Sequence, residues 1–392
     1  MTRPLNILTL STLFPNVSAP NFGIFVERQT AELANRPETS VTVINPIGIA
    51  PWPLRKLAQY RALDALAEHE EWHGLDVYRS RFKLIPKISG ASNPRRIADA
   101  ILPLVKTLHE EAPFDLIDAE FFYPDGPAAM RLAAALAIPF TIKARGADIH
   151  HWSSDPKCRD QILQAAEKAN ALLAVSEALK QDMIALGMDG GKITVHYTGL
   201  DQDRFVPVDR VAAKQVLGVN GPLFISTGAL IPRKNQDLVI RAMTSFPDAI
   251  LMLAGKGEAE QNYRALANQL GVADRIRFLG SVPHEQLAHL TAAADIAILV
   301  SRSEGLANAW VEALACGTPV IISKAGGARE LVTSAVAGRI VDPNVEAIVE
   351  AAKAILADPP EQDMVRSTVS RFSWKNNGDQ LLAILRQAAE KT

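Results

Sequence analysis

The chain has 392 residues, 48% hydrophobic and 21% charged, a balance that excludes a disordered or collagen-like protein. At ~150 residues per domain that length predicts two domains. Its 41 basic and 43 acidic residues give a net charge of -2, which excludes a partner held mainly by electrostatics, such as nucleic acid.

Residues 1–15 carry one early arginine and a short, interrupted apolar run, so they read as a first strand rather than as a leader peptide. Apolar runs follow at 5–10, 40–45, 115–118, 139–143, 171–175 and 193–196. A second series occupies 223–227, 249–254, 276–279, 295–300, 318–323 and 338–341. Segments of helical periodicity lie between them, among them 97–108, 127–137, 161–170 and 236–243. Alternation of strongly apolar strands with helices predicts parallel sheets covered on both faces. Glycines and prolines gather at 199–222, which places a boundary there. The expected domains are 1–200 and 201–374, with a tail helix, 375–392, returning to the first. No apolar run approaches the ~20 residues that span a bilayer. Cys158 and Cys316 cannot build a disulfide framework and fit a reducing compartment, so a cytoplasmic setting is expected.

Open parallel sheets bind ligands beyond the carboxyl ends of their strands. In the second half each strand end opens into a polar or glycine-rich loop. The first is Gly228 to Asn235, with Arg233 and Lys234 adjacent just before a helix. Two cations and the free N–H groups of a helix start make a phosphate site; alone, they equally describe a solvated basic loop. Next come Gly255-Lys256-Gly257-Glu258, a tight turn, and Gly280 to His284. The fourth loop holds Glu304, with Asn308 as the expected N-cap and Glu312 in the first turn of a helix over 309–315. A carboxylate there can accept two vicinal hydroxyls of a ribose, or can simply offset the helix dipole. The fifth is Lys324 to Glu330, around Gly326-Gly327.

Glu304 and Glu312, with seven residues between them, then Ala315-Cys316-Gly317-Thr318-Pro319-Val320 and Gly326-Gly327, resemble the carboxyl-terminal signature of GT-B glycosyltransferases of family 4. Supporting motifs resemble the bacterial exopolysaccharide and teichuronic-acid branch. These are Phe14-Pro15, Gly23-Ile24-Phe25-Val26, Tyr123-Pro124-Asp125-Gly126, Arg145-Gly146-Ala147-Asp148, Val175-Ser176-Glu177, Gly199-Leu200-Asp201 with Phe205, and Phe372-Ser373-Trp374. The resemblance implies an α/β fold of two Rossmann-like, doubly wound domains facing each other across a cleft. The carboxyl-terminal domain would bind a nucleotide-diphosphate sugar and the amino-terminal one most of the acceptor. It further implies retention of anomeric configuration, no metal or other cofactor, and, by family habit, a UDP-sugar. The acceptor would be a glycan or a lipid diphosphate in cell-surface polysaccharide synthesis.

By the same resemblance Lys234 meets the donor diphosphate, Glu312 the ribose and Glu304 the transferred sugar. Backbone amides of Gly305, Leu306 and Ala307 meet sugar and phosphate oxygens, and Gly23 faces the diphosphate. Gly228, Gly257 and Asp148 complete the expected donor-binding set, and Lys234, Glu304 and Arg145 the catalytic one. Two positions depart from the family. Ala229 replaces a frequent arginine, for which Arg233 is the candidate substitute. Arg145 replaces a frequent histidine; unable to carry a proton at neutral pH, it would bind an anionic group or stabilise the leaving diphosphate.

The architecture also serves NDP-sugar epimerases and non-catalytic sugar-nucleotide binders; incubation with a donor alone, and a broad acceptor screen, separate these. His150-His151 lacks partners at a familiar metal spacing and could instead line the donor site. Ser176 reads as an N-cap rather than a nucleophile. Arg79, Arg81, Lys83 and Lys87, interleaved with Phe82, Leu84 and Ile85, read as a solvated basic edge, or as a contact for an anionic membrane surface or a lipid-diphosphate acceptor.

Overall fold

A computed structural model describes residues 3–86 and 88–390. The chain divides into two compact units, Met1–Gly199 with Trp374–Thr392, and Leu200–Ser373.

Strands of the first unit are β1 (Leu5–Leu10), β2 (Thr39–Ile44), β3 (Ile47–Ile49), β4 (His69–Trp72), β5 (Leu75–Tyr78), β6 (Arg81–Lys83), β7 (Leu116–Ala119), β8 (Phe140–Ala144), β9 (Ala171–Ala174) and β10 (Ile193–Val195). The main sheet runs β10-β9-β8-β7-β1-β2-β5-β4. Only the edge pair β4–β5 is antiparallel, and β3 and β6 form a separate parallel pair. Ile7, Leu8 and Leu10 of β1 are buried because helices cover both faces of a parallel sheet. The tail helix Trp374–Glu390 is one of those covers. Its Leu381, Leu382 and Leu385 pack with Ile7, Leu33, Leu116 and Leu173.

The second unit holds β11 (Leu223–Thr227), β12 (Ile250–Ala254), β13 (Ile276–Gly280), β14 (Ile296–Leu299), β15 (Val320–Ser323) and β16 (Gly338–Val341). All pair in parallel, in the order β13-β12-β11-β14-β15-β16. The chain winds outward from β11 in one direction to β13, then returns to β11's other side with β14. The switch point lies between β11 and β14, where an open sheet leaves its ligand crevice.

Both sheets follow the apolar runs to within two residues at strand starts. The strands β3 to β6 were not expected. They alternate rather than run apolar, as in His69–Trp72, and β4 and β5 are joined by His73 and Gly74, both at positive φ (49° and 81°). That conformation suits a tight hairpin turn.

The basic cluster is corrected here. Arg79 is fully buried, with its guanidinium 6.0 Å from the Phe14 ring and 5.4 Å from that of Trp72. It donates to Glu70 Oε1 (2.5 Å), Asn45 Oδ1 (2.6 Å) and the Pro15 carbonyl (3.0 Å). Arg81 pairs with Glu68 at 2.9 Å. The Arg79 charge is paired inside the fold and that of Arg81 at the surface, because acidic partners on β4 and in the segment just before it lie across from them. Lys83 is exposed, and Lys87 lies outside the described residues. Among the described residues no helix is long and apolar enough to cross a membrane.

Candidate active site

In the second unit the loops after β11 and β14 are tied together. The Arg302 N–H donates to the Arg233 carbonyl at 2.8 Å, and Asn235 Nδ2 donates to the Val300 carbonyl at 2.8 Å. Arg302 Nε returns to Asn235 Oδ1 at 3.0 Å, holding Asn235 at φ 51°, a conformation its short polar side chain tolerates. These bonds bring Lys234 Nζ to 2.5 Å from Glu304 Oε1, with the two side chains 12% and 9% exposed. Arg233 donates to the Ser303 carbonyl and lies 3.7 Å from the other Glu304 oxygen. Lys234, Arg233 and Glu304 thus meet at the switch point, with Lys234 paired to Glu304.

Glycines allow the neighbouring loops to close in. A Cβ on Gly257 would meet the Leu230 carbonyl oxygen at 2.2 Å. One on Gly326 (φ 50°) would meet the Glu304 and Gly305 carbonyl oxygens at 2.3 Å. The Gly327 N–H donates to the Gly305 carbonyl at 2.8 Å. Gly228, at φ 150°, faces the aliphatic stem of Lys234. Gly228 therefore lies beside the ion pair, Gly326 and Gly327 pack on the backbone of Glu304 and Gly305, and Gly257 packs on Leu230.

The helix after Glu304 spans Asn308–Ala315, with Ala307 at its N-cap position. Asn308 is the first helical residue rather than the cap, because the extended backbone (φ -70°, ψ 119°) ends at Ala307. Glu312 consequently falls in the second turn rather than the first, half-buried. No side chain caps this helix start, and Leu306 and Ala307 lead into it nearly buried.

In the first unit Gly23 sits at the N-cap position of helix Ile24–Ala34 with φ 71°, its Cα against the Leu13–Phe14 backbone. Asp148 is fully buried. Its oxygens accept from the N–H groups of Phe122 (2.7 Å), Arg145 (2.9 Å), Gly146 (2.7 Å) and Ile149 (3.2 Å). Burial raises its pKa against those bonds. Its carboxylate holds the 145–149 turn from a fully buried position. Arg145 pairs with Glu120, donates from Nε to the Glu120 carbonyl at 3.2 Å, and lies 4.9 Å from the Phe25 ring centre.

Around that pair lies a buried polar cluster that the sequence reading missed: Gln29, Asp118, Glu120, Lys143 and His196, all 1% exposed or less. Lys143 Nζ donates to Gln29 Oε1 at 2.5 Å and lies 2.7 Å from His196 Nδ1. His196 Nε2 lies 2.9 Å from the Asn377 carbonyl, which can only accept, so the imidazole proton sits on Nε2 and Nδ1 accepts from lysine. Burial, then Arg145, lowers the Lys143 pKa far below the usual lysine range, and burial and Lys143 lower that of His196. Nζ has a proton for each of these two bonds. Burial raises Asp118, whereas at Glu120 burial is outweighed by Arg145 and Lys143, so Glu120 stays ionised. Asp118 and Lys143 standing inside apolar strands were the one available sign, since charge is buried only where it is satisfied.

His150 bonds to Asp182 at 2.8 Å, and the Ser176 hydroxyl caps its helix by accepting from Leu179 N–H at 3.1 Å. Among the described residues no three His, Cys, Asp or Glu side chains form a metal-holding group.

Residues 26–204 match the family described as Glycosyltransferase Family 4, and residues 209–382 match Glycosyl transferases group 1. The Bacillus subtilis protein TuaC, described as a glycosyltransferase of teichuronic acid biosynthesis, is 28% identical over 83% of each chain. A GDP-mannose-dependent alpha-(1-6)-phosphatidylinositol monomannoside mannosyltransferase of Mycolicibacterium smegmatis is 29% identical over 66% of this chain and 72% of its own. Among solved structures, Anabaena HepE in complex with UDP and glucose superposes with a TM-score of 0.76 at 21% identity, covering 97% of this chain and 99% of its own. Two α/β units of this fold with these matches define an enzyme of the GT-B glycosyltransferase class. Within that class the amino-terminal unit carries the family 4 match and the carboxyl-terminal unit the group 1 match.

Proposed function

We propose that the chain moves a sugar from a nucleotide-diphosphate sugar to a glycan or lipid-linked acceptor in the synthesis of a cell-surface polysaccharide or glycolipid. The carrying observation is the meeting of Lys234, Arg233 and Glu304 at the switch point of the second unit. The donor diphosphate takes over Lys234 from Glu304, and Glu304, released, accepts from a hydroxyl of the transferred sugar. Glu312 holds the ribose, and the N–H groups at Gly305 to Ala307 meet sugar and phosphate oxygens. Gly228, Gly257 and Gly23 let backbone approach the diphosphate, and Asp148 acts by fixing the turn that carries Arg145.

As the glycosidic bond breaks, negative charge grows on the leaving diphosphate, and Lys234, Arg233 and Arg145 stabilise it. This charge supply makes a metal unnecessary in the proposed reaction, so chelation should leave the rate unchanged. The acceptor hydroxyl attacks from the face that the diphosphate leaves: its oxygen bonds to the anomeric carbon as the bond to the phosphate oxygen breaks, its proton passes to that departing oxygen, and configuration is retained. UDP is the proposed base, in keeping with HepE, which binds UDP; the mycobacterial relative uses GDP-mannose, so both belong in the test. Trp52, Leu54, Leu57 and Ile88, exposed by 74%, 40%, 50% and 80%, suit a peripheral contact with the inner membrane face, where a lipid-linked acceptor would lie.

Thermal-shift screening with UDP, GDP, ADP and their sugars tests the reading, because a ligand bound only by the native state raises Tm. Stabilisation by at least one nucleotide, abolished in Lys234→Ala, is expected. No shift with any of them would overturn it.

A further inference from the structure

Arg145 is held by more than its own ion pair. Glu120 receives two donors from Arg145, one on the carboxylate and one on the backbone carbonyl. The other Glu120 oxygen accepts from Gln29 Nε2. Gln29 Oε1 in turn accepts from Lys143, and Lys143 from its other proton reaches His196, which is pinned to the Asn377 carbonyl of the tail helix. Every member between Arg145 and the tail helix is 1% exposed or less, so water cannot replace any of these bonds. Each donor also has one available sense. The carbonyl fixes the imidazole tautomer, the imidazole fixes the lysine, the lysine fixes the amide orientation of Gln29, and the amide presents its N–H to the carboxylate.

A buried chain with a single consistent direction is costly to assemble and is a poor source of net stability. It does, however, set the position of the one group at its end. We infer that Glu120 is the positioning residue for Arg145, and that Gln29, Lys143, His196 and the tail helix hold Glu120 in register. This rests on the proposed role of Arg145 in transfer.

The experiment is a double-variant cycle on the full chain with Arg145→Ala, Glu120→Gln and the pair, following nucleotide release from UDP-glucose, UDP-glucuronate, GDP-mannose and ADP-glucose. Glu120→Gln keeps the side chain's shape but removes the anion that orients the guanidinium. Each single variant should lower kcat by roughly a hundredfold, the size of loss that a misplacement of ~1 Å produces, with donor KM little changed. The pair should be no worse than either single. Gln29→Met, which touches neither partner's charge, should give a smaller loss of the same kind, and it replaces Glu120→Gln should that variant not fold.

Losses that multiply in the pair, or full activity in Glu120→Gln beside an impaired Arg145→Ala, would overturn the inference. Full activity in Arg145→Ala would instead remove the role of Arg145. If no donor in the panel turns over, nitrogen-15 spectra of the arginine Nε–H groups decide. One signal protected from exchange in the wild type and lost in both Glu120→Gln and Gln29→Met supports positioning, and its survival in either refutes it.

Discussion

Lys234 cannot meet a donor diphosphate and keep Glu304 at 2.5 Å on the same terms, so the two variants Lys234→Met and Glu304→Gln should change nucleotide affinity in opposite directions. At an effective dielectric near 20, unit charges ~2.5 Å apart attract by roughly 7 kcal/mol before desolvation is counted. With side chains 12% and 9% exposed, most of that is spent on leaving water, and the net worth is that of a charge-assisted hydrogen bond, about 1.5–3 kcal/mol. In Glu304→Gln the amide oxygen still accepts from lysine, so only part is returned to the ligand. UDP should bind about three- to tenfold tighter, the factor that follows from ~1 kcal/mol. Lys234→Met removes the cation and should weaken UDP by about tenfold to a hundredfold, from ~1.5–3 kcal/mol of lost charge-assisted bonding. Titration calorimetry with UDP at fixed ionic strength, repeated with GDP, measures both. Equal weakening in the two variants would refute partner exchange, since Glu304 would then be holding the lysine in place for the ligand rather than competing with it.

Asp125 is fully buried, has an oxygen without a partner, and burial pushes its pKa to about 8 despite a 2.8 Å bond from the Thr12 N–H. Its folded pKa lies above the unfolded one, so the native state keeps a proton that the unfolded chain loses, and stability should fall as pH rises from about 4 to about 8. Asp125→Asn should therefore raise Tm at pH 8 and change it little at pH 4; an unchanged difference across that range would refute the assignment. Leu385→Ala in the tail helix removes a fully buried side chain and should cost about 2–5 kcal/mol in denaturant unfolding, whereas a loss below ~1 kcal/mol would mean the helix is not part of that core. Trp52→Ser should reduce sedimentation with vesicles of anionic phospholipid; equal recovery of both proteins in the supernatant would remove the proposed membrane contact.

The strands that were legible are those buried on both faces. Ile250–Ala254 and Ile296–Leu299 carry apolar side chains regardless of which face each points to, and a continuous apolar run survives as a signal without any knowledge of the partner strand. His69–Trp72 and Arg81–Lys83 have one covered face or an edge position, and their charges find partners only after the chain has folded. That is why Arg79 read as a solvated cation: Glu70 and Asn45 become its neighbours through β4–β5 and β2–β5 pairing, which no local pattern encodes. The donor loops were legible for a different reason. Strand-end position follows from the run that precedes the loop, so Lys234 and Glu304 could be placed at the same sheet edge from sequence alone. What could not be read was their bond, because it depends on Arg302 and Asn235 drawing two loops together.

The two units use their buried charge in opposite ways. In the second, Lys234 and Glu304 keep 12% and 9% of their side chains exposed, and Arg233 keeps 41%. An incoming anion can displace Glu304 without first unpacking the core, and its own charge replaces the one it removes, so the exchange costs little. In the first, Glu120, Gln29, Lys143 and His196 have no exposed edge, and removing any bond would strand a polar group at the price of its full desolvation, about 1–3 kcal/mol. Such a cluster cannot trade partners during turnover. A group that must take hold of and release a ligand belongs to the first kind of setting, and a group that must stay where it is belongs to the second. By that criterion Lys234 suits its proposed role of binding and releasing a diphosphate, while Glu120 suits the proposed role of keeping Arg145 in place.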